Sequence, residues 1–493
     1  MATLTLDVPL NRVEGDLEVR IEARDGVVAD AWCTGTLFRD FETVLVGRGH
    51  LDGLVITPRI CGICSTAHLL AAVRALEDVA GLQPPPDAIR LRNVVMAAEA
   101  VQSDARHAFL MFAVDLASPV HAGRSFHDEA VRRYTAVVGQ SARHVLAATR
   151  DLVEVIQFVG GRWPHSSYMV PGGLTQGPAR HELQQIRLLV ESARRWYERH
   201  VLGCPCERWQ AVDSAEGLDA WLAEAPAHSD SELGFFVRAA REAGLDRIAS
   251  ARRNFLSYGG YPAPEGGTGR GAWLAPPGFA RGGRLEPLNE PCITEHLAHS
   301  WLVGDESPVS PARGTTKPYA TGHENDRYSW AKAPRYDGLP AETGPLAEAV
   351  FRGDPLLVDL LRRQGPSPFV RHLARIGRGA LLLPAMQRWL ADVTPRGECY
   401  LAPGAPFPDG AGFGGVQAAR GALGHWVRIR DERIEHYQIV SPTTWNASPR
   451  DDNGARGPIE EALIGVPLSD PAHPVEAAHV VRSFDPCLVC TVH

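Results

Sequence analysis

Residues 3–32 alternate apolar and polar positions, Leu4, Leu6 and Val8 in step, then Leu17, Val19 and Ile21. That period of two, with Asp25-Gly26 at a turn, predicts a β-hairpin or small sheet. From about 65 to 113 the spacing becomes helical: Leu69, Leu70, Val73 and Leu76, then Ile89, Leu91, Val94 and Val95. Pro84-Pro85-Pro86 separates the two helices. Residues 128–160 and 180–202 also read as helices, the second rich in Arg and Glu and so solvated on one side. Residues 257–345 are dense in Gly and Pro and predict extended loops with short strands. Helical spacing returns over 345–395. Strands follow at 426–430 and 434–440 about an Asp431-Glu432 turn, then a last helix at 457–465. No internal repeat is visible.

The chain has 493 residues, 44% hydrophobic and 22% charged, enough to bury a substantial core. A net charge of -8 excludes nucleic acid or an anionic membrane surface as the main partner. No run of residues has the length and apolarity of a membrane span, and Met1 to Arg12 has no secretion-signal pattern. Nine cysteines, an odd number spread thinly, do not suit a disulfide scaffold. They predict a reduced, cytoplasmic setting, with membrane association or export only through a partner. Cys33, Cys204, Cys206, Cys292 and Cys399 lack ligand spacing and read as structural thiols.

The remaining four form two CxxC pairs, Cys61/Cys64 and Cys487/Cys490, with roughly 420 residues between them. Each pair can present two thiolates to one metal. A ligand set split across the chain assembles only after folding, which predicts a central, buried site and a single large α+β domain. Within it, 1–60 is a β region leading to the first pair and 61–256 is mainly helical. Residues 257–345 are loop-rich, and 346–493 combine helices, short strands and the second pair. Structural zinc, an iron–sulfur cluster and a catalytic soft metal all use such ligands. Structural zinc pairs usually lie close together and staple a small module, so the wide spacing disfavours zinc. Arg59, His68, Asp485 and His493 put titratable groups beside both pairs, which suggests chemistry that moves protons and electrons.

Arg59-Ile60-Cys61-Gly62-Ile63-Cys64 with His68, and Asp485-Pro486-Cys487 through Cys490 to His493, resemble the two signatures of the [NiFe]-hydrogenase large subunit. Further matching strings are Asn11 to Gly15, Phe38 to Glu42, Trp163 to Ser167, Tyr328 to Tyr336, Glu342 to Leu346, Ala419 to His425 and Pro442 to Asn446. The resemblance implies a long-helix core with small peripheral sheets and a buried Ni–Fe centre carrying CO and cyanide on iron. The implied reaction is heterolytic splitting of H2. By motif position Cys61 and Cys487 bind nickel terminally, while Cys64 and Cys490 bridge to iron. Cys487 or the Arg420 guanidine accepts the proton, and Glu14 relays it. Arg420 and Thr444 face the cyanides, Asp104 and Asp485 orient Arg420, and His68 donates to a bridging thiolate. Glu42, the Ile439 carbonyl and His493 imply a Mg2+ site. His165 either lines a proton path or is a satisfied core histidine.

The remaining cysteines cannot hold a second cluster, so electrons must leave through a small subunit carrying iron–sulfur clusters, with a higher oligomer of heterodimers left open. Ala419 stands where many relatives have proline, Asp40 replaces a common glycine, and Asp16 stands where His is frequent. Ile63 is bulkier than the usual valine and, with Phe109, Met111 and Phe112, predicts a narrowed gas path and restricted O2 access. The leading reading is an uptake enzyme oxidising H2. The alternatives are an H2-sensing regulatory member that signals to a partner kinase, with His68 against it, and a homologue like the quinone-site subunit of respiratory complex I, which retention of all four cysteines opposes. The end at His493, without the C-terminal extension that most relatives lose on maturation, fits either a mature enzyme or a sensor.

Overall fold

The structure, a computed structural model, describes residues 3–10, 12–13, 15, 17–248, 253–267, 270–304, 307–315, 317–319 and 326–493. Glu14 and Asp16 therefore lie outside the described residues.

The N-terminal alternation becomes a three-stranded antiparallel meander, Thr3–Leu10, Leu17–Arg24 and Val27–Gly35. Asp25 and Gly26 both have positive φ, the conformation that a tight two-residue hairpin demands. Leu17, Val19, Ile21 and Ala23 are buried on one face. They pack against Ile459, Val480, Val481, Phe484 and Leu488, so the two ends of the chain share one cluster.

The helical centre is built from Ser65–Ala80, Pro86–Arg106, Gln140–Gly160, Arg180–Trp196 and Pro368–Ala391, packed into one large core. The region read as one helix over 128–160 divides into His127–Tyr134 and Gln140–Gly160. Beyond Arg106 the backbone continues as a π-helical turn, His107–Phe112. Residues 257–345 hold short two- and three-stranded pieces, as their Gly and Pro content predicts.

A second antiparallel meander, Gly410–Ala418, Gly421–Arg430 and Arg433–Val440, lies on the helix Ser65–Ala80. Its first strand escapes the sequence reading because GAGFGGVQA has no alternation. The glycines have a packing reason. A Cβ at Gly414 would sit 1.9 Å from the Ala71 carbonyl oxygen, and one at Gly412 would sit 2.2 Å from that of Ala75. Helix and strand thus meet backbone to backbone, which fixes the helix that follows Cys64. Two further short helices, Val475–Ser483 and Leu488–Thr491, bring the second cysteine pair back to the core. Among the described residues no helix is long and apolar enough to cross a membrane. The architecture is α+β, one large domain with a long-helix core and small peripheral sheets.

Candidate metal centre

Folding brings the four separated cysteines together. Their sulfurs all lie within 4.8 Å of one another. Cys61 Sγ is 3.6 Å from Cys487 Sγ, Cys64 Sγ is 3.2 Å from Cys490 Sγ, and Cys487 and Cys490 are 3.0 Å apart. All four are buried, whereas Cys292 is partly exposed and the other four thiols pack in the core. Cys64 caps the first turn of Ser65–Ala80 and Cys487 that of Leu488–Thr491, so the first pair ends where a helix begins and the second straddles a helix start. The Glu99 carboxylate accepts from the N–H groups of Thr66 and Ala67, fixing that first turn.

The sulfurs do not titrate alike. Hydrogen bonding from Cys487 and the other thiols, helped by the Arg420 guanidinium, holds Cys61 well below the usual thiol range. Contact with Cys487 pushes Cys64 up, and burial pushes Cys490 up. With Cys64 and Cys490 held as thiols, the cluster releases protons when a metal takes all four sulfurs.

Arg420 stands over this cluster. Its Nε donates to the Asp485 carbonyl at 3.0 Å and its Nη2 lies 3.1 Å from Asp485 Oδ1, while Nη1 is buried with no partner. Burial alone would lower its pKa, but Asp485 and the sulfurs of Cys487, Cys64 and Cys61 outweigh that and keep it charged. Asp104 departs from expectation. It takes Arg375 and Arg378 rather than Arg420, because its helix Pro86–Arg106 packs on Pro368–Ala391, which carries both arginines. Arg375 Nη1 also lies 3.1 Å from Asp485 Oδ2, so Asp104 reaches Arg420 only at second hand. Arg378 binds Glu348 and the carbonyl of Ala419, immediately before Arg420.

His68 also departs. Its Nδ1 is 3.1 Å from His425 Nε2, and His425 Nδ1 is 2.8 Å from the Tyr437 hydroxyl. His68 Nε2 is buried without a partner, and no thiolate among the described residues accepts from it. Burial lowers its pKa to about 3, so the ring is neutral. Thr444 closes a capping box with Ser441, and its hydroxyl is taken up by the Ser441 hydroxyl and the Thr491 carbonyl. Its neighbour Thr443 is the hydroxyl at the centre, accepting from Cys487 N–H at 2.9 Å.

Glu42 lies in a separate polar cluster. Its carboxylate meets His493 Nε2 at 3.2 Å and the ammonium of Lys332 at 3.1 Å, and accepts from the N–H of Ile439. Ile439 thus gives Glu42 its N–H, where its carbonyl was the expected ligand. Burial raises Glu42, but Lys332 and His493 outweigh it and hold the carboxyl well below its usual range. Glu295 is also 3.3 Å from Lys332, and burial lifts it to about 7. His165 Nδ1 is bonded to the Pro58 carbonyl at 2.8 Å, which makes it a backbone brace for the segment before Cys61.

Sequence reasoning missed Arg39, Lys332, Arg375, Arg378 and Thr443. Arg39 Nη2 donates to the Ile60 carbonyl at 2.7 Å and also to the Val489 carbonyl. It thereby ties the residue before Cys61 to the residue before Cys490. A cation inside one of the matched strings was the available signal. Arg375 and Arg378 had one too, two arginines three apart among the apolar residues of the middle of a long helix.

The donor set fits a redox metal pair: four buried thiols, with Arg420 Nη1 and His68 Nε2 as unpartnered polar atoms beside them. The nickel-dependent hydrogenase family matches this chain over residues 39–144 and 240–493. The chain is 33% identical to the periplasmic [NiFeSe] hydrogenase large subunit of Desulfomicrobium baculatum, covering 98% of this chain and 94% of that one. It is 29% identical to the uptake hydrogenase large subunit of Rhodobacter capsulatus over the same shares. The structure of the Ni-Fe-Se hydrogenase from D. vulgaris Hildenborough in the reduced state superposes over 100% of both chains, with TM-score 0.85 and 28% identity. The expected cytoplasmic placement finds no support in these names, one of which is periplasmic, and neither does the sensor alternative. The chain belongs to the nickel-dependent hydrogenase family and is its large, catalytic subunit.

Proposed function

We propose that this chain oxidises H2 to two protons and two electrons at the four-cysteine site and passes the electrons to a small subunit carrying iron–sulfur clusters. The observation that supports it most is the buried thiol cluster faced by a charged arginine with one unpartnered nitrogen. A bound nickel–iron centre with CO and cyanide on iron supplies a redox pair that polarises H2 and takes its electrons.

The protein's own part is to hold that centre and handle the proton. Cys61, Cys64, Cys487 and Cys490 would together hold the nickel and the iron, with Cys61 and Cys487 the thiolates left to nickel. Cys487 takes the proton and Glu14 receives it. Arg420 orients and supplies positive charge, held by Asp485 and, through Arg375, by Asp104. Thr443 replaces Thr444 as the hydroxyl facing the iron ligands, since accepting from Cys487 N–H leaves its own proton to give. His68, neutral and with its Nε2 unpartnered, would be free to donate to a sulfur of the loaded centre.

Glu42, Ile439 and His493 hold a magnesium ion in this reading. Two carboxylates share one ammonium at that cluster and Glu295 Oε1 is buried without a partner, so charge and oxygen donors suit a hard cation. Val44, Val46, Leu51 and Val55, each 45–50% exposed just before the first cysteine pair, offer the small subunit an apolar face. Metal analysis of the assembled enzyme should give one nickel and one iron per chain, with infrared bands of CO and cyanide. Their absence from an active preparation would overturn the reading.

A further inference from the structure

Asp485 has a second neighbour that the reading above leaves unused. His107 Nε2 lies 3.7 Å from Asp485 Oδ1. From there a line of aromatic rings runs outward. The His107 and His372 centroids are 5.9 Å apart, Phe112 stacks on His372 at 3.8 Å, and Phe112 lies 5.1 Å from His479. The His479 and His121 rings are 6.0 Å apart, and both line a cavity of about 560 Å³ together with Arg124, Arg247 and Glu476.

The four histidines are between 0% and 5% exposed. Both ring nitrogens of His121 and His479, and Nδ1 of His372, find no hydrogen-bond partner, and His107 reaches only the Arg482 backbone. The amide of Gln102 and the hydroxyl of Ser103, buried in the turns just before His107, find none either. Leaving so many buried polar atoms unpaired would cost as much as a typical domain's whole stability, so the line requires partners that the chain does not supply. In the pairs His107–His372 and His479–His121, ring centres about 6 Å apart keep the nitrogens out of direct contact but within reach of one bridging water, while Phe112 separates the two pairs, so that water alone carries the proton past its edge. Burial holds His107 and His372 well below the usual histidine range and His479 at about 3. Each neutral ring therefore carries one N–H and one bare nitrogen. The turn that places His107 and Phe112 is π-helical, a conformation that is rare and concentrated at functional sites.

We propose that His107, His372, His479 and His121 form a hydrated proton passage between the Asp485 side of the metal centre and the cavity at His121. Each ring takes a proton from water on its bare nitrogen and gives up the proton on its other nitrogen to the next water. Rings and waters then reorient, so one proton leaves for each that enters and nothing is consumed. The passage rests on the hydrogen-splitting reading, which supplies the protons.

The test uses the assembled two-subunit enzyme. Crystals of the unsubstituted enzyme should show ordered water within hydrogen-bond distance of His107 and His479, lost in His479→Phe, which keeps the aromatic packing. With D2 gas in H2O, His479→Phe placed in a Glu14→Gln background should slow HD release by about 10-fold. Nickel, iron and the CO and cyanide infrared bands should stay unchanged. A dry cluster in the unsubstituted enzyme, or HD release unaltered by His479→Phe in that background, overturns the passage. Absence of HD from the unsubstituted enzyme overturns the hydrogen-splitting reading itself. If His479→Phe does not assemble, His121→Gln at the cavity mouth carries the same exchange test.

Discussion

Arg39→Ala should detach the last cysteine pair from the first without disturbing the rest of the fold. One guanidinium nitrogen donates to the carbonyls of Ile60 and Val489, each next to a ligand cysteine. A hydrogen bond from a charged donor contributes about 1.5–3 kcal/mol, and Arg39 is only part-buried, so the lower end applies. Losing two such bonds weakens docking of the tail by about 3 kcal/mol, roughly 100-fold in its equilibrium. Most of the large subunit is untouched by the change, because Arg39 lies outside the helical core. The expected outcome is an expressed, folded chain that retains little nickel by mass spectrometry and whose residues 487–493 become open to carboxypeptidase. Arg39→Lys should recover part of the metal, since one ammonium can still reach both carbonyls. Full nickel content together with a protected tail in Arg39→Ala would refute the bridging role.

Asp104→Ala leaves Arg375 and Arg378 buried with less than their full charge partners and should destabilise the chain by about 3–5 kcal/mol in denaturant unfolding. Glu460 is buried, and loss of water raises it to about 7 despite bonds from Cys33 N–H and the Tyr328 hydroxyl. An acid raised on folding weakens the fold as pH climbs from its unfolded value through its folded one. The stability difference between pH 5 and pH 8 should therefore shrink by up to about 3 kcal/mol in Glu460→Gln, and an unchanged difference would refute the shift. Ile63 is half-buried beside Cys61, and its N–H lies 3.3 Å from that sulfur. Ile63→Val should make H2 oxidation more sensitive to air, and equal sensitivity would discard the narrowed gas path.

The parts of this site that the sequence disclosed are those set by local chemistry. A CxxC pair before a helical run, and an Asp two residues before a Cys, are visible wherever they occur. What stayed hidden depends on which elements pack together. Arg375 and Arg378 look like surface cations until Pro368–Ala391 is found buried, at which point their charges must be met inside, by Asp104 and by the Ala419 carbonyl. Thr443 and Thr444 differ by one position, and only the capping box, which draws in Thr444, shows which hydroxyl is left for Cys487. The strand Gly410–Ala418 has no pattern of its own because its glycines answer to the backbone of another element. Helix Val475–Ser483 was overlooked for a similar reason, since its buried His479 and Arg482 blur the apolar stripe.

The same packing favours Cys487 of the two proton acceptors that the resemblance left open. Arg420, Arg375 and Arg378 are interleaved with Asp485, Asp104 and Glu348, three cations against three acids, all buried. In that setting Arg420 sits well above its ordinary range. Serving as a base near pH 7 would require removing its proton at a cost of at least about 7 kcal/mol, a population near one in 10⁵. Cys487 bears no such penalty once a metal binds its sulfur, because metal binding already favours the thiolate. Arg420→Lys distinguishes the two roles. It keeps a cation beside Asp485 but loses the planar fork, so turnover should fall while the pH profile of H2 oxidation keeps its shape. If the guanidine were the base, a lysine whose ordinary pKa lies about two units lower would shift the profile toward acid by a similar amount. A shift of that size in the loaded enzyme would return the proton to Arg420.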